Sequence, residues 1–293
     1  MKPAPFRYLA PRSEDELIAT LKDHGAEARL LAGGQSLVPM MNFRVATPSV
    51  LVDINGVPGL SFIDLNADGI ELGALTRHAM LEDSDAVRMR LPLVTEAMGR
   101  LAHRAVRNRG TMGGSLALAY PGAELPLLFV TLGAELALRS PRGTRLVPAE
   151  KFIRGALETA LADDEFIRSA RIPLPPAQAG TAFVEASRRH GDFALAAAAA
   201  VIELDAGGRV RVAHAGVTGG TAVPLRLRGA EQALVGQLPV KDVIEELART
   251  AVAAIEVDSD AHYPAGYRKL LLQTMLQRAL ETAAQRAGSR HVH

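Results

Sequence analysis

Two Gly-Gly turns restrict the folding of this chain more than any other feature of its sequence. The first, Ala32-Gly33-Gly34-Gln35-Ser36, follows an apolar segment suited to a buried strand, and the second is Thr111-Met112-Gly113-Gly114-Ser115. Backbone N–H groups can approach phosphate oxygens closely only where no Cβ atom intervenes, so a glycine turn after a strand can bind a diphosphate. A Gly-Gly pair taken alone is more often a plain structural turn.

Neither turn has the spacing of a common nucleotide motif. The first lacks the lysine and serine of a P-loop, and neither contains the full glycine spacing of a Rossmann fold. Two turns flanked by hydroxyl residues, on a span that could fold them together, favour a two-sided diphosphate site. The residues alone leave both the structural and the binding interpretation open.

Composition excludes several classes of function. With 33 basic and 32 acidic residues the net charge is +1, which provides no broad field to attract a nucleic acid. The chain has no cysteine, which excludes disulfides, a thiol nucleophile and an iron-sulfur cluster held by this polypeptide. Its 293 residues are enough for two or three packed units.

The sequence also argues against a membrane segment and a metal site. No apolar stretch approaches a membrane span and the N-terminus lacks the apolar core of a signal peptide, which predicts a cytoplasmic protein. The histidines form no HxxxH or HExxH pair, and His291 and His293 are expected to lie in a mobile tail. Ser36 and Ser115 have no evident histidine and aspartate partners, so their surroundings suit phosphate better than acyl transfer.

The N-terminal half alternates helical and strand patterns. We predict a helix over 13–25, with Ser13 as N-cap and Gly25 as its end, and strands at Ala28–Ala32 and in VLVDI, which together make a β-α-β unit. Residues 60–75 have the composition of a hairpin, residues 81–105 are helical, and residues 108–126 have no regular periodicity. The acidic residues Asp163, Asp164 and Glu165 are expected to form an exposed turn.

A proline-rich segment, Pro173 to Pro176, is the best candidate for a linker. Beyond it we predict three antiparallel strands over 181–186, 195–204 and 210–217, although the alanine run within the second favours a helix by intrinsic propensity. Helices are predicted over about 240–255 and 267–287. Arg188, Arg189 and His190 are interpreted as a solvated or subunit-facing basic patch.

Four segments resemble one protein family in their order along the chain. Residues 32–58, 107–126 and 182–199, together with Tyr267-Arg268, resemble the FAD-binding medium subunits of molybdenum hydroxylases of the carbon monoxide dehydrogenase and xanthine dehydrogenase family. The resemblance covers almost the whole chain.

The resemblance implies an α+β fold of the vanillyl-alcohol-oxidase or PCMH type. Residues 1–176 would form the FAD-binding domain, with α/β subdomains of about 1–57 and 58–176 that sandwich FAD. Residues 180–287 would form a C-terminal flavoprotein domain with a three-stranded antiparallel sheet and helices.

The resemblance also assigns roles to individual residues. Ala32 to Ser36 correspond to a first diphosphate loop and Thr111 to Ser115 to a second, while Glu124 corresponds to an acidic residue that contacts ribityl or ribose hydroxyls. The full set of cofactor positions is Leu30, Leu31, Ala32, Gly33, Gly34, Gln35, Ser36, Leu37, Leu101, Thr111, Met112, Gly113, Gly114, Ser115, Tyr120, Glu124, Phe166, Ile167, Asp192 and Phe193.

The remaining positions in this set are apolar or aromatic contacts. Leu101, Phe166 and Ile167 resemble positions that pack on the cofactor, although core packing explains them equally well. Asp192 and Phe193 resemble the loop beside the isoalloxazine ring, where an aromatic side chain can cover one ring face. No catalytic residue and no metal ligand is expected on this chain.

Three positions depart from the family pattern. Many relatives have histidine and aspartate where this chain has Leu118 and Tyr120, and several carry lysine near the position of Glu185. Tyr120 could stack on the ring or donate its phenol to it. Loss of a cation near the flavin would remove stabilisation of its anionic reduced form, which leaves the electron acceptor undetermined.

The function implied by the resemblance is electron transfer within a complex. A molybdopterin-binding large subunit and a 2Fe-2S small subunit would be the partners, as a dimer of heterotrimers, and FAD on this chain would pass electrons to an external acceptor. Two alternatives stay open, namely a stand-alone FAD oxidoreductase and a scaffold subunit that has lost the flavin. Neither a nucleic acid nor a membrane is expected as a partner.

Overall fold

The computed structural model of the protein describes residues 2–259 and 262–290. The predictions for His291 and His293 therefore lie outside the described residues. No helix in the described part of the chain is long and apolar enough to cross a membrane.

The N-terminal unit is a small parallel sheet with helices in its connections. Its sheet has the order β1-β3-β2, which confirms the predicted β-α-β unit and adds a strand that was not predicted. The elements are β1 (Arg7–Leu9), α1 (Glu14–His24), β2 (Ala28–Leu31), α2 (Leu37–Asn42) and β3 (Val50–Asp53).

Helix α1 begins and ends where its capping residues predict. The Ser13 hydroxyl accepts a hydrogen bond from the Glu16 N–H at 3.1 Å, and the Glu16 carboxylate accepts one from the Arg12 N–H at 2.6 Å. Gly25, with φ of 42°, ends the helix. The strand that follows is only partly buried, because Ala28 alone of its four residues is inaccessible to solvent.

A second unit follows, built around an antiparallel sheet of order β4-β5-β10-β6-β7. The predicted hairpin is confirmed as β4 and β5, with the Asn66 side chain accepting from the Gly69 N–H at 3.0 Å in the turn. The elements are β4 (Ile63–Leu65), β5 (Gly69–Gly73), α3 (His78–Asp83), α4 (Asp85–Arg90), α5 (Pro92–Met98), α6 (Arg104–Arg107), α7 (Met112–Leu118), α8 (Glu124–Leu132), β6 (Glu135–Ser140), β7 (Gly143–Pro148), α9 (Ala149–Phe152), β8 (Ile153–Gly155), β9 (Glu158–Thr159) and β10 (Phe166–Pro173).

The prediction of irregular structure over 108–126 was wrong. Helix α7 forms the middle of that segment, and α8 begins before its end. Glycine is a poor helix former, but Gly113 lies so close to Ala74 that a Cβ atom would come within 2.8 Å of the Ala74 carbonyl oxygen. Tertiary packing therefore overrides the local propensity.

The prediction of an exposed acidic turn was also wrong for one of its residues. Glu165 is only 6% exposed, and its carboxylate accepts two hydrogen bonds from Arg145, at 2.8 and 2.6 Å. Asp164 pairs with Arg142. The buried carboxylate is compensated by an arginine from the neighbouring hairpin, a partner that the local sequence does not reveal.

The C-terminal unit confirms the three predicted strands and both predicted helices. A two-residue strand extends the antiparallel sheet to the order β11-β12-β13-β14. The elements are β11 (Gly180–Ala186), β12 (Ala196–Leu204), β13 (Val210–Thr218), β14 (Leu225–Arg226), α10 (Arg228–Leu234), α11 (Lys241–Ala253) and α12 (Ala265–Arg290).

The alanine run forms the central strand β12 because both of its faces are covered. Ala196, Ala198 and Ala200 point into a core shared with α12, whereas Ala197 and Ala199 point into the core of the second unit. Small side chains allow this close approach, and at Gly180 an added Cβ atom would come within 2.1 Å of the Ala283 carbonyl oxygen in α12. The sheet thus joins the second unit to the C-terminal helix.

Candidate functional site

The first Gly-Gly turn presents a row of backbone N–H groups. Within the described residues, no N–H of residues 33–37 donates a hydrogen bond, although Val38 donates to Gly34 at 3.1 Å as α2 begins. Gly34 has φ of 71°, which favours glycine. Gly33 is buried and most of the other residues of the row are partly buried. Backbone donors in such places are normally paired, so this unpaired row is suited to an anionic ligand.

This turn packs directly on the second glycine segment, as the sequence predicts for a two-sided site. A Cβ atom on Gly33 would lie 2.2 Å from the Arg109 carbonyl oxygen and 2.9 Å from the Gly110 Cα atom. Any residue larger than glycine at position 33 would displace the Arg109 backbone.

The second segment uses its N–H groups within the protein. Met112 and Gly113 donate to the carbonyl oxygens of Thr76 and Ala74, each at 2.9 Å. Thr111, the N-cap of α7, accepts from the Gly114 N–H at 3.1 Å through its hydroxyl. The two glycine turns therefore differ, because the first offers backbone donors and the second a partly exposed hydroxyl, that of Ser115.

His78 is a site residue that sequence reasoning missed. Its Nε2 atom lies 3.1 Å from the Ser115 hydroxyl, and its side chain is buried. Burial, with the positive charges of Arg107 and Arg77 adding to it, lowers the pKa of His78 to about 4, so the ring is neutral at pH 7. The sequence expectation that Ser115 has no histidine partner was wrong. No local signal could have revealed a partner so distant along the chain.

Helix α7 ends at an aromatic pair. Ala119 has φ of 47°, and the chain then turns to Tyr120, whose ring centroid lies 4.1 Å from that of Phe193 at an interplanar angle of 30°. The loop carrying Phe193 is fixed by a hydrogen bond from the Ala194 N–H to the Gly122 carbonyl oxygen at 3.2 Å. Both rings are partly exposed, at 38% and 47%.

Two carboxyl groups, those of Glu124 and Glu185, interact with each other beyond the end of α7. Glu124 is 3% exposed, and burial, with a smaller effect of Glu185, raises the pKa of Glu124 to about 8. Burial likewise raises the pKa of Glu185 to about 7. Both groups are therefore protonated over part of the neutral range, and a protonated carboxyl can donate as well as accept a hydrogen bond.

The apolar candidates pack in the core. Leu101, Phe166 and Ile167 are 7%, 1% and 5% exposed, and Phe166 lies in the cluster beneath the N-terminal sheet. Their geometry supports the core-packing interpretation.

The remaining candidates lie at the surface or near it. Asp192 is exposed, and its N–H donates to the Arg189 carbonyl oxygen at 3.1 Å. Leu30, Leu31 and Leu37 are partly buried. Within residues 2–259 and 262–290 no three His, Asp or Glu side chains are grouped as a metal site requires.

The two ends of the site are separated by helix α7. Its seven residues span about 10 Å at 1.5 Å per residue. Donors for a diphosphate thus lie at one end, and aromatic rings with the buried Glu124 lie at the other. This arrangement fits an elongated dinucleotide that carries a planar ring.

Comparison with known proteins gives the same assignment. Residues 4–175 match the family model of the FAD-binding domain in molybdopterin dehydrogenase, and residues 181–283 match that of the CO dehydrogenase flavoprotein C-terminal domain.

Relatives align over nearly the whole chain. The 6-hydroxypseudooxynicotine dehydrogenase complex subunit alpha of Paenarthrobacter nicotinovorans is 39% identical, over 98% of this chain and 97% of its own length. The carbon monoxide dehydrogenase medium chain of Afipia carboxidovorans is 37% identical, over 98% and 99%. A solved structure of carbon monoxide dehydrogenase from Hydrogenophaga pseudoflava, which lacks the Mo-pyranopterin moiety of its cofactor, superposes with a TM-score of 0.94 at 38% identity, over 98% of this chain and 99% of that chain.

Both domain models and full-length relatives therefore agree with the geometry of the site. The chain belongs to the family of FAD-binding medium subunits of molybdopterin dehydrogenases, is a subunit of an oxidoreductase, and has FAD as its cofactor.

Proposed function

We propose that this chain is the electron-transfer subunit of a molybdenum-containing hydroxylase or dehydrogenase. The observation that carries the proposal is the row of N–H groups at residues 33–37, which donate no hydrogen bond within the described part of the chain. Glycine at position 33 lets the turn that carries them pack closely on the Arg109 carbonyl. These groups would hold the FAD diphosphate, with the Ser115 hydroxyl on the other side. The proposed domain of residues 1–176 would contain this part of the site.

At the other end, Tyr120 and Phe193 would cover the flavin ring. Phe193 comes from the proposed C-terminal domain of residues 180–287, so its side chain would shield one ring face from water. The Glu124 carboxyl would bond to ribityl or ribose hydroxyls. A carboxyl group accepts from two hydroxyls, and its burial makes it an expensive group to leave without a partner.

The proposed partner subunits would hold the iron-sulfur clusters and the molybdenum centre. Without cysteine it cannot hold an iron-sulfur cluster, and relatives bear the names of subunits of larger complexes. We infer that electrons arrive from a 2Fe-2S small subunit after release at a molybdopterin-binding large subunit, in a dimer of heterotrimers. Bound FAD supplies the redox chemistry, since it accepts electrons singly and releases them in pairs to an external acceptor.

The substrate of the complex is set elsewhere. The two relatives named above are named for 6-hydroxypseudooxynicotine and for carbon monoxide, yet they are 39% and 37% identical to this chain. Because relatives named for such different substrates have flavin subunits similar to this chain, we infer that this chain delivers electrons and does not select the substrate.

The experiment is anaerobic reduction of the complex purified with its partner subunits. Substrate should bleach the flavin absorbance, and extraction should release FAD. Gly34→Ala, at φ of 71°, should yield complex depleted of FAD, whereas Gly236→Ala, at φ of 80° with nothing within 4 Å of the added Cβ atom, is the matched control and should retain it.

Two results would contradict the proposal. A complex that reduces its acceptor at the wild-type rate after Gly34→Ala has removed FAD would show that electrons bypass this chain. A colourless wild-type chain that takes up no FAD beside its partners would support the scaffold alternative instead.

A further inference from the structure

A chain of hydrogen bonds joins the first glycine turn to the second segment. The Asn55 side-chain N–H group donates to the carbonyl oxygens of Leu31 and Ala32, at 3.3 and 2.9 Å. Arg77 donates from Nη2 to the Asn55 Oδ1 atom at 2.7 Å and from Nη1 to the Arg109 carbonyl oxygen. The side chains of Asn55 and Arg77 thus connect the end of β2 and the start of the first turn with Arg109, two residues before the second turn.

The Arg109 carbonyl is the point where the two segments touch. It is the atom that a Cβ atom on Gly33 would meet at 2.2 Å. Because Arg77 bonds to the same oxygen, its guanidinium fixes the position of the surface against which the first turn packs. The planar fork of arginine can bridge two acceptors in fixed geometry, which lysine cannot do.

Asn55 is in turn anchored to the parallel sheet. The Asp53 Oδ1 atom accepts from the Asn55 backbone N–H at 2.9 Å and from its side-chain N–H at 2.6 Å. The Tyr8 hydroxyl donates to the Asp53 Oδ2 atom at 2.6 Å. This network, which runs from Tyr8 in β1 to Arg77, holds the Asn55 amide in the orientation that Arg77 requires.

The charge of Arg77 is only partly offset. The guanidinium is half-buried, and both of its acceptors are neutral oxygens. Burial, followed by the positive charge of Arg109, lowers the pKa of Arg77, while Asp53 acts in the opposite direction. A diphosphate bound at the neighbouring turn would add negative charge close to these two arginines.

We propose that Arg77, acting through Asn55 and the Arg109 carbonyl, is a positioning residue that holds the two glycine segments in the arrangement that binds the FAD diphosphate. This inference rests on the proposed function. Neither residue belongs to the two glycine motifs, and neither is required to touch the cofactor.

The test is a double-mutant cycle on FAD affinity. FAD is titrated into the full chain, with the quenching of flavin fluorescence as the signal, for the wild type, Arg77→Lys, Asn55→Ala and the double variant. Each single change should raise the Kd about tenfold, the effect of one charge-assisted hydrogen bond. The double variant should raise it little further, because both side chains belong to one connection. Arg228→Lys, which alters an exposed arginine paired with Glu150, is the control and should leave the Kd unchanged.

Thermal unfolding of the FAD-free variants distinguishes a residue that only stabilises the fold from one that positions the two glycine segments. A residue that only stabilises the fold would lower Tm and leave the Kd of the folded chain unchanged. Asn55 is exposed, so Asn55→Ala should fold normally. The FAD affinity of that variant tests the proposal even if Arg77→Lys folds poorly.

Three outcomes would overturn the proposal. Unchanged affinity in both single variants excludes a positioning role while FAD binding itself stands. Losses that multiply in the double variant show that the two residues act independently. A wild-type chain that binds no FAD removes the proposed function as well, and the wild-type titration alone identifies that case.

Discussion

The Nε2 atom of His78 lies 3.1 Å from the Oγ atom of Ser115, 37 residues further along the chain. The residue before it, Arg77, reaches the other glycine segment through Asn55. Two consecutive residues at the start of α3, Arg77 and His78, therefore contact both sides of the proposed diphosphate site.

His78 makes the stability of the chain depend on pH. Its pKa of about 4 lies below the ordinary value of 6.5, so the unfolded chain binds a proton first as the pH falls. The stabilisation is complete above pH 6.5 and is lost as the pH falls toward 4, by about 3 kcal/mol in total. In urea denaturation, the free energy of unfolding of the wild type should fall by this amount relative to that of His78→Gln between pH 7 and pH 4. Parallel pH profiles would show that His78 is not held neutral.

Glu124 has the opposite pH dependence. Its pKa of about 8 lies above the ordinary value of 4.5, so the folded chain keeps a proton that the unfolded chain has lost. The stabilisation is complete below pH 4.5 and is lost as the pH rises toward 8. Glu124→Gln should therefore be more stable than the wild type at pH 9, by roughly 2–5 kcal/mol, and should differ little at pH 5. Denaturation of the FAD-free proteins measures this, and an equal difference at both pH values would contradict it.

The aromatic pair should affect the flavin ring more than the fold. Phe193 is 47% exposed, so Phe193→Ala should change Tm little. Loss of one ring contact should weaken FAD binding about 3–10-fold and increase the fluorescence of the bound flavin. Leu146→Ala, at another exposed apolar side chain, is the control. Unaltered affinity and fluorescence in Phe193→Ala would place the ring away from this pair.

Elements with complete local signals could be predicted from the sequence. Helix α1 has its cap at Ser13 and its stop at Gly25, and both act as the sequence indicates. The strand with the alanine run was predicted against its intrinsic helix propensity, because the sequence Asp205-Ala206-Gly207-Gly208, typical of a hairpin turn, follows it closely. The structure explains why that prediction is correct, since every residue of β12 is buried between two layers.

Features that depend on distant partners could not be predicted. The helical state of Gly113 is set by contact with Ala74, and the burial of Glu165 by Arg145 from a neighbouring hairpin. In the candidate site, the glycine turns are visible in the sequence, but His78 has no local signature there. Its significance appears only when the fold brings it to Ser115.

The most direct test of the account is a titration of the full-length chain with FAD, in which Gly33→Ala is compared with Gly229→Ala. Gly33→Ala places a Cβ atom 2.2 Å from the Arg109 carbonyl oxygen, whereas at Gly229 nothing lies within 4 Å. We predict that the wild type and Gly229→Ala bind FAD with the same Kd. Gly33→Ala should remain folded by circular dichroism and lose affinity at least ~100-fold, because the row of N–H groups is displaced. Wild-type affinity in a folded Gly33→Ala variant would contradict the assignment of this turn to the FAD diphosphate.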